Sequence, residues 1–240
     1  MSKLKISLII PAHNEEKHIL PTLETAILNS AGKLFEIIVV DNASTDKTAE
    51  SASSFPEVRI VKEQNKGLTH ARQRGFIESK GEILAFIDAD TLMPPSWVDN
   101  IEREFLEDEN LACLSGPYIY YDVPAWQKIL VWLYWRLIAL PSYFVIGYMT
   151  VGGNFAIKKE VVHKMGGFDT SISFYGEDTN IARRASDHGK VKFSITHTMH
   201  TSGRRFYNQG FLNTALKYMV NFASEVVRKK PATKKYQDFR

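Results

Sequence analysis

Cysteine is nearly absent from this sequence of 240 residues, because Cys113 is the only one. An intrachain disulfide is therefore excluded, and we expect a reducing cytosolic compartment. The first residues lead directly into a strand-like segment without the apolar stretch of a signal peptide, so we expect a protein that is not secreted. The formal net charge of +3 is too small to favour nucleic acid as a partner.

Glycine-rich phosphate loops are also missing. The classical dinucleotide fingerprint needs three glycines between a strand and a helix, and a Walker loop ends in Gly-Lys-Ser/Thr. Residues 11–15 read Pro-Ala-His-Asn-Glu after the first apolar run instead. This segment argues against NAD and P-loop ATP chemistry, and equally against the glycine-rich loop of a nucleotidyltransferase.

Apolar runs rich in β-branched residues recur in the first half of the chain and alternate with segments of helical periodicity. This alternation predicts an α/β fold with a mostly parallel sheet flanked by helices. The predicted strands are residues 6–10, 37–40, 58–61 and 83–87, and the predicted helices are residues 16–28, 68–77 and a short one capped by Ser44 or Asp46.

The second half of the chain changes character, and we divide one predicted domain into residues 1–110, residues 111–228 and a basic tail, residues 229–240. An apolar and aromatic segment, residues 125–149, interrupts the α/β pattern. Helices are predicted at residues 97–106, 179–187 and 211–227, and strands at residues 111–121 and 152–157.

Carboxylates follow two of the predicted strands, where ligands of such sheets bind. Asp88 and Asp90 come directly after an apolar run, and side chains two residues apart on an extended segment share one side. Paired carboxylates suit Mg²⁺ or Mn²⁺ together with diphosphate oxygens. Asp41 ends another strand and has two open interpretations: it binds a base or a ribose hydroxyl, or it only forms a turn with Ser44.

Several of these segments together resemble the family 2 glycosyltransferases. The matching segments are residues 7–15, 39–48, 66–75 and 88–90, in the same order and spacing. The resemblance implies a Rossmann-like GT-A fold and an inverting transfer from a nucleoside-diphosphate sugar, with a UDP-sugar favoured.

The resemblance also implies roles for individual residues. Asp90 is then the principal metal ligand, with Asp88 near the metal or the ribose. The residues implied to bind the nucleotide sugar are Pro11, Ala12, Glu15, Asp41, Arg72, Asp88 and Ala89. Family members often have Asp-Asp-Gly-Ser where this chain has Asp-Asn-Ala-Ser at residues 41–44, so the nucleotide base stays open.

Glu177 and Asp178 open a predicted helix, where acidic residues are also favoured by the helix dipole alone. The family resemblance implies that they form the acceptor motif, in which Asp178 takes the proton of the attacking hydroxyl. It also implies that Gly153 and Asn154 line the same cavity.

Three basic residues near the C-terminal end have two interpretations each. His200 completes the metal shell or is a packed loop residue, and Arg204 and Arg205 clamp a diphosphate or form a solvated pair.

The apolar segment 125–149 is long enough to span a bilayer, but Arg136 and Pro141 near its middle disfavour a stable span. We expect an interfacial hairpin or a lipid-binding groove rather than ordinary core, with Trp132 and Trp135 near the acceptor. The basic tail either attracts anionic lipids or is merely solvated.

These patterns together predict a metal-dependent hexosyltransferase of cell-envelope or polysaccharide synthesis. Its acceptor would be a glycan or a lipid-linked molecule, and the enzyme would be peripheral at the inner face of the cell membrane. The alternatives are a non-catalytic, membrane-recruited nucleotide-binding scaffold and a sugar-phosphate nucleotidyltransferase.

Overall fold

The structure is a computed structural model that describes residues 4–172, 176–228 and 232. The basic residues of the tail from Lys229 onward, and Phe174 and Tyr175 before the acidic pair, lie outside the described residues. The lipid interaction predicted for the tail therefore stays a prediction.

Strands and helices alternate through the first half of the chain, as the sequence predicts. The strands are β1 Ile6–Ala12, β2 Glu36–Asn42, β3 Val58–Glu63, β4 Ile83–Ile87, β5 Thr91–Leu92, β6 Leu111–Ser115, β7 Tyr118–Tyr120, β8 Asn154–Lys158, β9 Lys190–Phe193 and β10 Met199–Thr201. The helices are α1 Ile19–Ser30, α2 Thr48–Ala52, α3 Leu68–Glu78, α4 Trp97–Glu107, α5 Ala125–Tyr134, α6 Leu140–Ile146, α7 Lys159–Lys164, α8 Glu177–Ser186, α9 Arg204–Gln209 and α10 Phe211–Arg228, with a π-helical turn, Trp135–Ala139, between α5 and α6.

Seven strands form the main sheet in the order β3-β2-β1-β4-β8-β6-β9. The first four strands of this order are parallel, whereas β8 runs antiparallel to both β4 and β6. A second sheet of three short strands has the order β5-β10-β7. Because β1, β2 and β4 are parallel neighbours, the segments after them emerge at one edge of the sheet.

The core lies on both faces of the main sheet because successive side chains of a strand alternate. On β1, Leu8 and Ile10 pack on the face covered by α1 and α4, where Trp97 is 1% exposed. Ile9 packs on the other face, which α3 and α8 cover. Burial on both faces explains why the strand segments are continuous apolar runs.

The predicted strand at residues 111–121 is wrong, because the chain forms two strands there that belong to different sheets. The break falls at Gly116, where an added Cβ would lie 1.9 Å from the carbonyl oxygen of His197. This close approach admits only glycine. β6 therefore stays in the main sheet, while β7 leaves it to pair with β10.

Two helices begin later than the sequence predicts. α1 begins at Ile19, after a turn in which the backbone N–H groups of His18 and Ile19 donate to the carbonyl of Glu15. α2 begins at Thr48, and the Asp46 carboxylate accepts the Thr48 N–H at 3.0 Å. Asp46 thus satisfies a donor that the first turn of the helix leaves unpaired.

The apolar segment is one continuous helical run, from α5 through the π-helical turn to α6, and not the expected hairpin; it lies largely outside the core. Residues Ala125–Ile146 are long and apolar enough to cross a membrane by length and composition, and only 6% of their most apolar stretch is buried. Trp135 and Tyr143 pack inward against Phe193. Large apolar side chains on the outer side are exposed, among them Leu137 and Phe144.

Candidate active site

Asp88 and Asp90 follow the central strand β4, as predicted, and the structure surrounds Asp88 with residues of the second half of the chain. The Tyr118 hydroxyl donates to Asp88 Oδ2 at 2.8 Å. A Cβ on Gly153 would lie 2.3 Å from Asp88 Cγ, so a larger residue here would displace the Asp88 carboxylate. Gly153, predicted to line the acceptor cavity, therefore lies against the first carboxylate of the Asp-x-Asp motif.

Arg204 joins Asp90 to Glu15. Its Nη1 and Nη2 donate to the two carboxylate oxygens of Glu15 at 2.8 and 2.5 Å, and its Nε lies 2.9 Å from Asp90 Oδ2. Burial raises the pKa of Asp90 to about 6, and the charges of Asp88 and Glu15 add to this effect while Arg204 opposes it. The site thus concentrates negative charge that one guanidinium only partly offsets.

The tips of β1 and β2 lie side by side, with Ala12 in register with Asp41. The Ala12 side chain packs into the core, so a contact of Ala12 with a nucleoside would have to come from its backbone. Asp41 Oδ1 accepts the Ser44 N–H at 3.3 Å, which is the turn interaction considered above. This single weak hydrogen bond leaves the second carboxylate oxygen of Asp41 for another donor.

Glu177 and Asp178 form the first turn of α8. The Thr150 hydroxyl donates to the Asp178 carbonyl at 2.7 Å, which fixes the start of the helix. Burial and the charge of Asp178 raise the pKa of Glu177 to about 7, and Arg72 opposes the shift. Burial also raises the pKa of Asp178, against a hydrogen bond from the Thr179 N–H.

The Asp-x-Asp motif and the acidic pair of α8 belong to one cleft. The charge of Asp88 raises the pKa of Asp178, and the charge of Arg205 lowers the pKa values of both Asp90 and Glu177. The contacts of two adjacent glycines show that the groups are close: Gly153 lies against Asp88, and the carbonyl of Gly152 accepts from Arg72, whose Nη1 is 3.9 Å from Glu177 Oε1. A donor held at Asp90 and an acceptor held at Asp178 would therefore meet.

A divalent cation suits the chemistry of Asp88 and Asp90, since carboxylate oxygens are the ligands that Mg²⁺ and Mn²⁺ prefer. Within the described ranges, no group of three His, Cys, Asp or Glu side chains forms a metal site by itself. His200 lies on β10, next to the strand that follows Asp90, and burial lowers its pKa. Its role as a metal ligand stays a prediction.

A family comparison now decides the class of protein. The family model described as "Glycosyl transferase family 2" matches residues 7–166, which is most of the chain. The chain belongs to glycosyl transferase family 2. The resemblance stated from the sequence motifs is thereby confirmed.

Curated family 2 relatives match this chain over part of their length. A probable glycosyltransferase of Bacillus subtilis, YdaM, is 28% identical over 210 residues, which cover 77% of this chain and 47% of the relative. A dolichol-phosphate mannosyltransferase of Pyrococcus furiosus is 30% identical over 174 residues, or 66% of this chain and 47% of the relative. The chain spans about half the length of these two relatives.

The fold of this family 2 chain is that of a solved glycosyltransferase. A mannosyltransferase from Pyrobaculum calidifontis, solved with GDP-Man and Mn²⁺, has a TM-score of 0.70 and 20% identity and covers 97% of this chain and 66% of its own. The predicted GT-A-like α/β fold, with a mostly parallel sheet flanked by helices, is therefore confirmed.

Two residues predicted to bind the nucleotide sugar are placed elsewhere. Arg72 is 1% exposed, and its Nη2 donates to the Gly152 carbonyl at 2.7 Å on the side of the acidic pair. The Ala89 side chain packs into the core, and its carbonyl accepts the Thr22 hydroxyl at 2.9 Å. Both side chains are enclosed by protein in this structure, and their roles toward the donor stay predictions.

Asn154, which the family resemblance places at the acceptor cavity, is likewise enclosed by protein. Asn154 is fully buried, and its Nδ2 donates to the carbonyls of Gly116 and His197 while its Oδ1 accepts Trp97 Nε1 at 2.9 Å. These bonds use both N–H groups and one lone pair of the side-chain amide. Asn154 therefore ties β8 to neighbouring segments, and its role at the acceptor cavity stays a prediction.

The two tryptophans predicted near the acceptor differ in exposure. Trp135 donates from Nε1 to the carbonyl of Tyr118 at 3.2 Å, and Tyr118 is the residue whose hydroxyl bonds Asp88. The Trp135 ring also stacks on Phe193. Trp132 is 51% exposed, and the Arg136 guanidinium lies 4.1 Å from its ring centroid. Trp135 thus supports the wall of the cleft, whereas Trp132 belongs to the outer apolar face.

Sequence reasoning missed Tyr118 and Thr150, which contact Asp88 and Asp178. Tyr118 lies in a segment that read as one continuous strand, so nothing in its pattern indicated a contact with residue 88. The hydrogen bonds between Arg204 and Glu15, which are 189 residues apart, were also not predicted from the sequence. Arg205, its neighbour in α9, donates instead to the Tyr218 hydroxyl at 2.7 Å.

Proposed function

We propose that this protein transfers a sugar from a nucleoside-diphosphate sugar to an acceptor hydroxyl with inversion at the anomeric carbon. The observation that carries the proposal is the single cleft in which the Asp-x-Asp motif meets the acidic pair of α8. Membership of glycosyl transferase family 2 supports it. The chain spans about half the length of the curated relatives. The sugar-transfer activity is therefore proposed for this chain from its own residues and is not carried over from those relatives.

The donor side of the cleft is formed by the ends of β1, β2 and β4. Asp41 is well placed for a ribose hydroxyl or a base N–H, and the backbone at residues 11–12 would line the nucleoside pocket. We favour a UDP-sugar as donor. Arg204 and Arg205 supply the positive charge that a diphosphate would need once Arg204 leaves Glu15 and Asp90.

Asp88 and Asp90 would hold Mn²⁺ or Mg²⁺. The bound ion would neutralise the charge that grows on the leaving diphosphate. Tyr118 keeps Asp88 oriented through its hydrogen bond to Oδ2, and Arg204 offsets the charge of Asp90 in the free protein. Dependence on such an ion is part of the proposal.

Asp178 acts as the general base on the acceptor side. Its carboxylate takes the proton of the acceptor hydroxyl as the oxygen bonds to the anomeric carbon and the bond from that carbon to the diphosphate oxygen breaks. Attack from the face opposite the leaving group inverts the configuration. Burial raises the pKa of Asp178, which makes the carboxylate a stronger proton acceptor than an exposed aspartate.

The acceptor is lipid-linked or lies at a membrane surface, in cell-envelope or polysaccharide synthesis. The exposed apolar face of Ala125–Ile146 supports this, since Leu137, Phe144 and Val145 are 68%, 75% and 87% exposed. Inner residues of the same segment support Tyr118 in the cleft wall. A segment lying in the headgroup region of the inner leaflet would bring the cleft to such an acceptor.

A screen of nucleotide sugars with Mn²⁺ tests the proposal, with thermal stabilisation and donor hydrolysis as readouts. We expect one class of nucleoside-diphosphate sugar to raise the melting temperature and to be hydrolysed slowly, in wild type and not in Asp90→Ala. Stabilisation without hydrolysis or transfer would indicate the non-catalytic scaffold. No stabilisation by any nucleotide sugar would contradict both.

A further inference from the structure

Arg72 is a cation enclosed by the protein, close to the acidic pair of α8. It lies on α3 and is 1% exposed. Its guanidinium carbon is 5.6 Å from the centroid of the Phe155 ring, and Nη2 donates to the Gly152 carbonyl. A buried guanidinium is unfavourable unless negative charge is near. The identity of that negative charge therefore defines what Arg72 does.

Glu177 supplies that charge. Its Oε1 lies 3.9 Å from Arg72 Nη1, and both side chains are almost completely buried. The charge of Arg72 also opposes the effect of burial on the pKa values of Glu177 and Asp178. The charges of Arg205 and Asp88, from other elements, also act on Glu177 and Asp178, respectively.

The surroundings of Arg72 are shaped for a guanidinium in this place. A Cβ on Gly152 would lie 2.7 Å from Arg72 Nη2, so a larger residue here would displace the guanidinium from its present position. Arg72 Nε and Nη1 are buried and have no hydrogen-bond partner among the residues that the structure describes. Unsatisfied N–H groups of a buried cation favour a closer approach of the Glu177 carboxylate.

We propose that Arg72 is a positioning residue for the acceptor site: it holds the Glu177 carboxylate toward α3, so that Asp178 is the carboxylate that faces the acceptor hydroxyl. Arg72 touches neither donor nor acceptor in this arrangement. The inference rests on the proposed function, in which Asp178 is the base. It differs from the contact to the donor that the family resemblance implies for Arg72.

Nucleoside-diphosphate affinity and turnover distinguish the two roles. Calorimetric titration with the diphosphate and Mn²⁺ should give a Kd within about 3-fold of wild type for Arg72→Gln, whereas kcat should fall about 10²-fold. Arg72→Lys keeps the charge and should recover at least about tenfold of that loss. A Kd at least tenfold weaker in Arg72→Gln, with kcat at saturating donor unchanged, would establish a donor contact and overturn the proposal.

A double-mutant cycle with Glu177→Gln tests whether Arg72 acts through Glu177. We expect Arg72→Gln/Glu177→Gln to turn over no more slowly than Arg72→Gln alone, because the second substitution removes an interaction already lost. Additive losses in kcat would overturn the proposal.

Thermal unfolding of the same four proteins gives a readout that does not need activity. Arg72→Gln should be the least stable, and the double variant should melt at a higher temperature because neither buried charge is then unpaired. If the double variant is the least stable, the pairing is absent. If wild type binds no nucleotide but the stability cycle shows the pairing, the proposed function fails while the contact between Arg72 and Glu177 stands.

Discussion

Replacing Arg204 by Met should destabilise the metal-free protein strongly. The substitution removes two hydrogen bonds to Glu15 and the contact with Asp90, and it leaves a carboxylate that is 2% exposed next to one that is 11% exposed. Breaking one side of a buried ion pair costs about 3–5 kcal/mol. Since Arg204 itself is 23% exposed, solvent screening places the loss near the lower end, at about 3 kcal/mol.

Thermal unfolding at pH 7.5 without divalent metal measures this loss. For a chain of this length, about 3 kcal/mol corresponds to a fall of roughly 6–12 °C in the melting temperature. Arg205→Met is the matched control, because Arg205 is the next residue of α9 and its Nη1 donates to an exposed tyrosine hydroxyl. We expect the control to lose less than about 1 kcal/mol.

Adding Mn²⁺ tests whether the stability lost in Arg204→Met is due to the missing positive charge. A divalent cation at Asp90 would supply positive charge that Arg204→Met lacks, so Mn²⁺ should raise the melting temperature of this variant more than that of wild type. The reasoning is refuted if Arg204→Met and Arg205→Met are equally stable without metal. It is also refuted if Mn²⁺ stabilises Arg204→Met no more than wild type.

Asp178→Asn should lower kcat by roughly 10²- to 10⁴-fold with donor affinity nearly unchanged, and Glu177→Gln should cost less; near-normal turnover in Asp178→Asn with a dead Glu177→Gln would exchange the two roles. Mn²⁺ affinity should fall about tenfold per pH unit below the Asp90 pKa of about 6 and level off above it, because a proton competes with the metal for the carboxylate. Calorimetric titration that shows the same Mn²⁺ affinity at pH 5 and pH 7 would contradict this. Wild type should float with anionic liposomes through Ala125–Ile146, less so at high salt, and Leu137→Glu should weaken flotation; a protein that stays with the soluble fraction at both salt concentrations would make the segment ordinary surface.

The sequence predicts the strands of the main sheet well because burial on both faces requires continuous apolar runs. The segments 6–10, 37–40 and 83–87 all lie within strands of this sheet. Parallel strands also end at one edge, which explains why Asp41 and Asp90 could be assigned to a common site before any coordinates. Local patterns are sufficient for these features because each depends on residues close together in sequence.

Contacts between distant segments were not predictable in the same way. The break at Gly116 depends on the carbonyl of His197, and the hydrogen bonds of Asn154 depend on two loops and on Trp97 of α4. The local motif around Arg72 led to its interpretation as a donor contact. The burial of Arg72 depends instead on the positions of Gly152 and α8, which lie far away in the sequence. Such tertiary partners leave no periodic signal in a single sequence.

Titration of a nucleoside diphosphate into the protein, with and without Mn²⁺, tests the central claim most directly. We predict that wild type binds the diphosphate tightly only with Mn²⁺. Asp90→Ala should lose this metal-dependent binding while its circular dichroism spectrum stays that of wild type, since the carboxylate lies at a strand end and not in the apolar core. Equal binding by Asp90→Ala and wild type, in the presence of Mn²⁺, would contradict the assignment of the metal and donor site.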